Sequence, residues 1–385
     1  MEIFHLKNFL FDETIHQHNY HDNQPVISLP FLPQIPYNPS MTITTDLLNW
    51  YDRNKRVFAF RGTRDPYRIW ISEIMLQQTR TETAEGYFIR FIDLFPDVFA
   101  LAGAPEQQVL KAWEGLGYYS RARNLHKTAR IIAEQGGLFP YTAEELQALP
   151  GIGPYTAAAI ASIAYDEPVP AMDGNLNRVL SRLYLIEEDI GIPSVRRRLY
   201  ELSRNLMPVP RAGDMNQALM DLGATVCLPG TPDCAACPLT AHCRAYREGE
   251  PEALPVLPRK KPPKDVPMAV VLLRHNGRIF VARRSEALLN GLYVFYLLEN
   301  HDQPSDIQKN LKIRGIHALS FTQIGQARHV FTHRVWHMKV YLADVQSDQT
   351  PCDGLWVDAD EMDDLPFPTA MKTAKALAKD CLKIG

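Results

Sequence analysis

The sequence lacks the features that would send a protein into or across a membrane. It has no apolar run long enough to cross a bilayer, and its start is not typical of a signal peptide. Lys7 is the only basic residue among the first forty, which argues against a transit peptide. We therefore expect a cytoplasmic protein. Residues 1–44, rich in Asn, His and Pro, are predicted to form a disordered extension, with Met41 as an alternative start.

The chain also lacks an excess of either charge. Its 385 residues include 41 Lys and Arg against 44 Asp and Glu, for a formal net charge of −3. Composition therefore does not indicate a polyanionic partner, and a case for nucleic-acid binding must rest on local motifs. Cysteine is scarce as well, and four of the six cysteines fall between Cys227 and Cys243. Without a signal peptide, such clustering indicates a metal site and not a disulfide framework.

Composition along the chain divides it into two parts. The chain is long enough for two domains, and its 46% of apolar residues are enough for each to bury a hydrophobic core. The pattern is helical over residues 45–250, and Asp65-Pro66 predicts the start of one helix, with a capping Asp and a proline at the first helical position. Residues 251–266 combine prolines with basic residues, which predicts a stiff basic linker. Residues 267–385 open with two β-rich runs joined through Asn276-Gly277, a hairpin signature, and are predicted to be α+β.

A glycine-lined turn precedes a helix of small residues in "LPGIGPYTAAAIAS". Gly151 and Gly153 lack Cβ atoms, so the backbone amides there can come close to a ligand. The helix that starts near Pro154 points its free N–H groups and positive dipole end in the same direction, which suits a phosphate. From these residues alone, an ordinary turn between two helices is an equally good interpretation.

The clustered cysteines have the spacing Cys227-x6-Cys234-x2-Cys237-x5-Cys243. These unequal gaps differ from the paired C-x2-C units of zinc ribbons, whereas four thiolates can hold a [4Fe–4S] cluster. Structural zinc and redox-active thiols are the less favoured alternatives.

Two carboxylates are candidates for chemistry. Glu73 lies one helical turn from Ile69 and from Leu76 on a largely apolar stripe, where desolvation would raise its pKa and suit a general acid. Asp173 stands just before a helix, where Asp is a good N-cap worth roughly 1 kcal/mol. A solvated helical Glu and a capping Asp are the ordinary alternatives. Cleavage of a glycosidic bond, however, needs one protonated and one ionised carboxyl group.

Several stretches together resemble the MutY-type adenine DNA glycosylases of the endonuclease-three superfamily. They are "SEIMLQQT", "GLGYYSRARNL", "LPGIGPYTAAAI", "DGN" and "MNQALMDLGATVC", and the similarity runs through the linker to the end of the chain. The cysteine gaps match the cluster loop of that superfamily, and the glycine turn resembles its helix-hairpin-helix, which holds the DNA backbone without reading sequence. The resemblance implies an all-α helix-hairpin-helix glycosylase with a [4Fe–4S] cluster, followed by an α+β Nudix-like domain.

The resemblance also implies roles for individual residues. Glu73 would protonate the adenine and Asp173 would stabilise the cationic sugar, with Asn175 and Tyr155 as supporting polar groups. The remaining assignments are the adenine pocket, with Arg56, Arg61, Leu76 and Gln217, and the DNA contacts, with Gln78, Thr79, Leu116, Tyr118, Gly151 and Gly153. Among the DNA contacts, Leu116 and Tyr118 resemble side chains that wedge into the opened duplex.

Tyr155 bears on the type of reaction. Glycosylase-lyases of the superfamily carry a lysine at this position, and its amine attacks the sugar to form a Schiff base. A phenol cannot do so. The resemblance therefore implies a monofunctional glycosylase, in which water resolves the intermediate and the strand stays intact.

The C-terminal half resembles the Nudix-like domain of the same family. The stretch "NGLYVFYLLENHDQPSDIQKNLK" lacks the glutamate array of a catalytic Nudix domain, so pyrophosphate hydrolysis is not expected. Phe331, Thr332 and His333 match the family's loop that reads 8-oxoguanine opposite adenine. A plain loop histidine is the alternative for His333.

Some positions depart from the family pattern, namely Phe60 for a common Trp, Asn177 for a frequent Lys and Thr332 for a usual Ser. None is one of the two carboxylates. We expect a monomeric enzyme that excises adenine from double-stranded DNA containing A·8-oxoguanine or A·G. A monofunctional thymine glycosylase is disfavoured by the Nudix-like half. A non-catalytic damage-binding protein is disfavoured by the presence of Glu73 and Asp173.

Overall fold

A computed structural model of the chain describes residues 39–258 and 262–383. Residues 1–38, which hold most of the predicted N-terminal extension, and residues 259–261 of the predicted linker lie outside the described residues. We call residues 39–258 the helical region and residues 262–383 the sheet region. In both, no helix combines the length and apolarity needed to span a membrane.

Helices form the helical region, as the sequence predicts. The first begins at Pro39, ahead of the predicted boundary at residue 45. The helices are α1 (Pro39–Asn54), α2 (Pro66–Leu76), α3 (Thr81–Leu94), α4 (Val98–Gly103), α5 (Glu106–Ala112), α6 (Ser120–Glu134), α7 (Ala143–Gln147), α8 (Pro154–Tyr165), α9 (Gly174–Tyr184), α10 (Pro193–Arg204), α11 (Ala212–Thr225) and α12 (Arg244–Glu248).

Two hydrophobic clusters hold these helices together. The first is built from α2 to α8 around buried side chains such as Trp70 and Trp113. The second joins α1 to α9, α10 and α11 around Leu47 and Leu180. Helix α8 packs against α2 on one side and α11 on the other, so the clusters meet along these helices. A cavity, described below, lies between these helices.

Helix α2 begins where the sequence predicts, and its start has a clear cause. The Asp65 carboxylate accepts a hydrogen bond from the Tyr67 backbone N–H at 2.9 Å, and Pro66 takes the first helical position. A proline N atom carries no hydrogen that would be left unpaired there. The cap fixes the direction of α2 and thus the position of Glu73 along it.

The sheet region is a mixed sheet with helices on both faces, which confirms the predicted α+β class. The elements are β1 (Lys264–His275), β2 (Arg278–Arg283), β3 (Tyr293–Val294), β4 (Tyr296–Glu299), α13 (Pro304–Ile313), β5 (Ala318–Val330), β6 (Arg334–Val345), β7 (Leu355–Val357), α14 (Glu361–Asp364) and α15 (Lys372–Lys383). Strand β1 runs parallel to β6 and antiparallel to β2 and β4, and the main strand order is β3-β2-β1-β6-β5.

Alternating side chains of β1 reach the two faces of this sheet. Val270 packs in the cluster that includes Ala374 of α15, whereas Val271 packs in the cluster that includes Ile307 of α13. The predicted hairpin joins β1 to β2 through Asn276 and Gly277, with φ angles of +46° and +70°. Both residue types tolerate this left-handed conformation, so the hairpin prediction is confirmed.

The helical and sheet regions are in direct contact. Leu292 is fully buried in the first cluster of the helical region. The Tyr119 hydroxyl donates to the Phe367 carbonyl at 3.1 Å, and Arg283 forms an ion pair with Glu106 at 2.8 Å. These contacts set where the β5–β6 hairpin lies relative to α5 and α6.

Candidate functional site

A cavity of about 220 Å³ lies between α2, α8, the start of α9 and α11. Its wall brings together all eight residues that the sequence predicts for the chemistry and the adenine pocket, with Thr79 from the predicted DNA contacts. Those eight are Glu73, Tyr155, Asp173, Asn175, Arg56, Arg61, Leu76 and Gln217.

Glu73 is a buried carboxyl group on α2 with one hydroxyl partner. Its side chain is 7% exposed, and the Tyr155 hydroxyl donates to its Oε2 atom at 2.6 Å. Burial raises the pKa of Glu73, and the charge of Asp173 adds to this, whereas the Tyr155 bond and the charge of Arg61 act in the opposite direction. The net upward shift favours a protonated Glu73, which is the form that a general acid needs.

Tyr155 occupies the first turn of α8 and faces the same cavity. Burial and the neighbouring Glu73 carboxyl raise the pKa of Tyr155 well above its ordinary value. The phenol is therefore neutral near pH 7 and acts as a hydrogen-bond donor.

Asp173 caps the start of α9 and is held by donors on both oxygens. Its Oδ1 accepts from the Leu176 backbone N–H at 2.7 Å, and its Oδ2 accepts from the Asn175 side-chain amide at 2.8 Å. Burial raises the pKa of Asp173 and sets the net direction of the shift, while these hydrogen bonds and the charge of Arg178 offset part of it. The donors and the positive end of α9 stabilise the ionised form, and Glu73 lacks comparable support.

Arg178 orients this carboxylate through Asn175, and sequence reasoning missed it. Its guanidinium donates to Asn175 Oδ1 at 2.9 Å, so the Asn175 amide nitrogen is left to face Asp173. Arg178 also donates to the carbonyls of Gly223 at 2.7 Å and Cys227 at 2.8 Å. Arg178 could have been found from the sequence, because it follows Asn175 by three residues and therefore lies on the same face of the helix.

Asp221 is a second residue that the sequence analysis did not select. This carboxylate is fully buried and pairs with Arg61 at 2.6 Å and with Arg56 at 2.7 Å. It thereby fixes the loop that carries both arginines against α11. Asp221 follows Gln217 by four residues in "MNQALMDLGATVC", and this helical spacing was the available signal.

The four clustered cysteines line one cavity beside α9, α11 and α12. Arg182 lies against them, with a guanidinium nitrogen 3.3 Å from Cys227 Sγ. Across residues 39–258 and 262–383, no three His, Cys, Asp or Glu side chains form a group arranged to hold a metal ion. The cysteines concerned are Cys227, Cys234, Cys237 and Cys243.

The predicted glycine turn joins α7 to α8. Gly151 has a φ of +78°, and a Cβ there would lie only 2.5 Å from the Asn124 side chain. Only glycine satisfies both conditions without rearrangement. Gly153 is the N-cap of α8, and both glycines are exposed, so their amides are open to a ligand.

The predicted wedge residues differ in exposure. Tyr118 is 50% exposed in the turn before α6, whereas Leu116 is only 7% exposed and packs in the first cluster of the helical region. The structure therefore places Tyr118, and not Leu116, at the surface. Gln78 is also exposed, in the turn between α2 and α3, and Thr79 beside it is partly buried.

The predicted lesion-reading loop forms the tip of the β5–β6 hairpin. The Phe331 N–H donates to the Arg334 carbonyl at 2.8 Å, and the Phe331 ring packs on Trp336. Thr332 and His333 are exposed at the tip. Thr332 Oγ1 lies 3.0 Å from the Tyr118 hydroxyl, so the hairpin tip touches the predicted wedge.

Comparison with known proteins agrees with the resemblance inferred from the motifs. Residues 71–205 match the family described as HhH-GPD superfamily base excision DNA repair protein, and residues 268–377 match the NUDIX domain. The adenine DNA glycosylase of Mus musculus is 34% identical over 87% of this chain and 78% of that protein. The adenine DNA glycosylase of Buchnera aphidicola subsp. Baizongia pistaciae is 35% identical over 77% of this chain and 83% of that protein.

Among solved structures, a thermostable thymine-DNA glycosylase is similar to the chain. It is 28% identical, with a TM-score of 0.49, over 54% of this chain and 97% of that one.

Proposed function

This chain belongs to the adenine DNA glycosylase family, and we propose that it hydrolyses the bond between adenine and deoxyribose where adenine is mispaired with 8-oxoguanine or guanine. The enzyme class and its place in base excision repair follow from the family. The opposite base, the catalytic residues and the cofactor are parts of the proposal.

The observation that carries the proposal is the pairing of two unlike carboxyl groups on one cavity. Glu73 is buried with a phenol as its partner, and Asp173 accepts hydrogen bonds from an amide side chain and a helix N-terminus. A protonated carboxyl can donate to a ring nitrogen of adenine as the glycosidic bond breaks. An ionised one stabilises the oxocarbenium-like sugar that remains.

Water is the expected nucleophile. Tyr155 takes the cavity position at which a Schiff-base lysine would be needed, and no lysine is among the cavity-lining residues of the described chain. The neutral phenol and the Asn175 amide hold the two carboxyl groups in place and form no covalent bond to the sugar. The product is an abasic site in an intact strand.

Recognition of the opposite base is assigned to the hairpin tip. Adenine also occurs in normal A·T pairs, so the enzyme must recognise the opposite base before it excises adenine. The cavity has room for the flipped base alone, so this recognition requires another part of the protein. Thr332 and His333 offer a hydroxyl and an imidazole at the surface, next to the Tyr118 wedge. An inserted aromatic ring partly restores the stacking lost when a base leaves the duplex.

The four cysteines supply a donor set that suits a [4Fe–4S] cluster. They line one cavity, and a guanidinium nitrogen of Arg182 lies 3.3 Å from Cys227 Sγ. A bound cluster would brace the loop between α11 and α12, and the cleavage step does not pass through it. Arg178 links this loop to the acid site through the Cys227 carbonyl and Asn175.

Single-turnover excision from matched duplexes tests the proposal. We expect release of adenine from A·8-oxoguanine and A·G, little from A·T, and no release of thymine from T·G. A chain that released thymine from T·G faster than adenine from A·8-oxoguanine would have a different substrate. Binding to damaged duplex without release of any base would refute the catalytic assignment.

A further inference from the structure

Two residues of the proposed DNA-contacting surface have left-handed backbone conformations. Gln78 has a φ of +57° and Tyr118 a φ of +48°. Side chains other than glycine rarely adopt such angles, and the conformation persists only where the surroundings hold it. The turn at Gln78 ends the helix that carries Glu73, and the turn at Tyr118 carries the proposed wedge.

One guanidinium group holds both turns. The Nη1 atom of Arg121 donates to the Gln77 carbonyl at 2.6 Å and to the Ile74 carbonyl at 2.7 Å. Its Nη2 atom donates to the carbonyls of Leu116 at 3.1 Å and Gly117 at 3.2 Å. Arg121 therefore binds the carbonyl directly before each left-handed residue.

The other surroundings of Arg121 indicate a geometric role. Its guanidinium lies over the rings of Trp113 and Tyr118, 5.4 and 5.6 Å from their centroids. No carboxylate among the described residues forms an ion pair with it within 4.0 Å, and Tyr118 is the one titratable group that acts on its pKa. Burial lowers the pKa of Arg121 to about 10, which still leaves the group charged at neutral pH, and backbone carbonyls and aromatic faces stabilise that charge. A charge at the C-terminal end of α2 also favours that helix.

We propose that Arg121 is a positioning residue that keeps the Gln78 turn and the Tyr118 turn in register with the helix bearing Glu73. Insertion of the Tyr118 wedge then moves the base toward Glu73, because one guanidinium group binds the Tyr118 turn, the Gln78 turn and the end of the helix that carries Glu73. The inference rests on the proposed function of Glu73 and Tyr118. It adds a residue that touches neither base nor sugar.

The test separates extrusion of the base from the chemical step. One duplex holds adenine opposite 8-oxoguanine in matched flanking sequence. The other is identical except that the pairs on both sides of the adenine are mismatched, so that extrusion requires less free energy. The Arg121→Met variant is expected to lose at least about tenfold in single-turnover rate on the first duplex, and less than about threefold on the second.

Two further variants make the result decisive. Arg121→Lys keeps the charge, but one ammonium group cannot bind both sets of carbonyls, so we expect the same selective loss. Lys127→Met removes an exposed charge from the same helix and should leave both rates unchanged. If Arg121→Met does not fold, as judged by circular dichroism, Arg121→Lys decides the matter.

An equal loss on both duplexes, or no loss on either, would overturn the proposed role of Arg121. Failure of the wild-type protein to excise adenine from either duplex would instead refute the proposed function. The two failures are therefore distinguishable in the same experiment.

Discussion

At the scale of single residues, Glu73 shows how surroundings change a side chain's chemistry. An exposed glutamate is ionised at neutral pH, but burial raises the pKa of this one, and the hydrogen bond from Tyr155 offsets only part of that shift. Its apolar helical neighbours made the burial predictable from sequence. The resemblance placed Tyr155 in the same site, but no local pattern indicates its hydrogen bond to Glu73, since the two residues are 82 positions apart in the chain.

Replacing Glu73 with Gln should lower the single-turnover rate by about 10²–10⁴-fold, the typical contribution of general acid catalysis. The amide keeps the shape of the side chain but has no acidic proton. Binding to A·8-oxoguanine duplex should stay near the wild-type level in a gel-shift assay. Glu134→Gln, an exposed glutamate at the end of α6, is the matched control. Excision by the Glu73 variant at close to the wild-type rate would remove Glu73 from the mechanism.

The pH dependence of excision should reflect the raised pKa of Glu73. Only the protonated acid can donate, so the rate is expected to fall as pH rises through that pKa, which burial places above the usual glutamate range. Stability has the same sign: the contribution of neutral Glu73 is full below the unfolded-state pKa and is lost as pH rises through the folded-state pKa. Rate–pH profiles, together with thermal unfolding of wild type and Glu73→Gln, measure both. A rate that rises through this window would mean that Glu73 acts as a base.

At the scale of elements, local signals predicted boundaries well and long-range pairings poorly. The cap at Asp65 and the Asn276-Gly277 turn are local, and both elements form where the sequence predicts them. By contrast, Asp221 lies 160 residues from Arg61, and no local pattern reports their contact. Leu116, which the sequence analysis assigns to the DNA contacts, is 7% exposed and packs in the first cluster of the helical region, and no local pattern reports that burial.

The loop between α11 and α12 makes a prediction about metal content. Purified protein should be brown and contain about four irons per chain, since four cysteine thiols line one cavity there. Iron and zinc analysis with an absorption spectrum measures this. Serine at Cys237 should lower the iron content, whereas serine at the exposed Cys352, far along the chain, should not. A colourless, zinc-loaded and fully active protein would contradict the assignment.

At the scale of the whole molecule, the two regions meet beside the proposed wedge. The contact between Tyr119 and Phe367 and the burial of Leu292 place the hairpin tip against Tyr118. Sequence motifs located both partners, but only the folded chain brings Tyr118 and Thr332 within 3.0 Å. Recognition of the opposite base by the hairpin tip and extrusion of the adenine by Tyr118 can therefore be coupled through the contact between Thr332 and Tyr118.

The double change Thr332→Ala plus His333→Ala tests the hairpin tip as the lesion reader. Under the proposed function the cavity around Glu73 takes up only the flipped adenine, so it would not discriminate the opposite base. Loss of hydrogen bonds to that base should remove about 1–3 kcal/mol of discrimination. The preference for A·8-oxoguanine over A·G should narrow by the corresponding factor, with single-turnover excision from A·G unchanged.

Two controls separate reading from coupling. Thr322→Ala, an exposed threonine on β5, should keep the full preference. Tyr118→Phe removes only the hydroxyl that contacts Thr332 and keeps the wedge ring, so it should narrow the preference less than the double variant if Thr332 and His333 bind the base themselves. Equal narrowing by Tyr118→Phe would assign the effect to the contact between the regions. A double variant that kept the full preference, or lost activity equally on both duplexes, would place the lesion reader elsewhere.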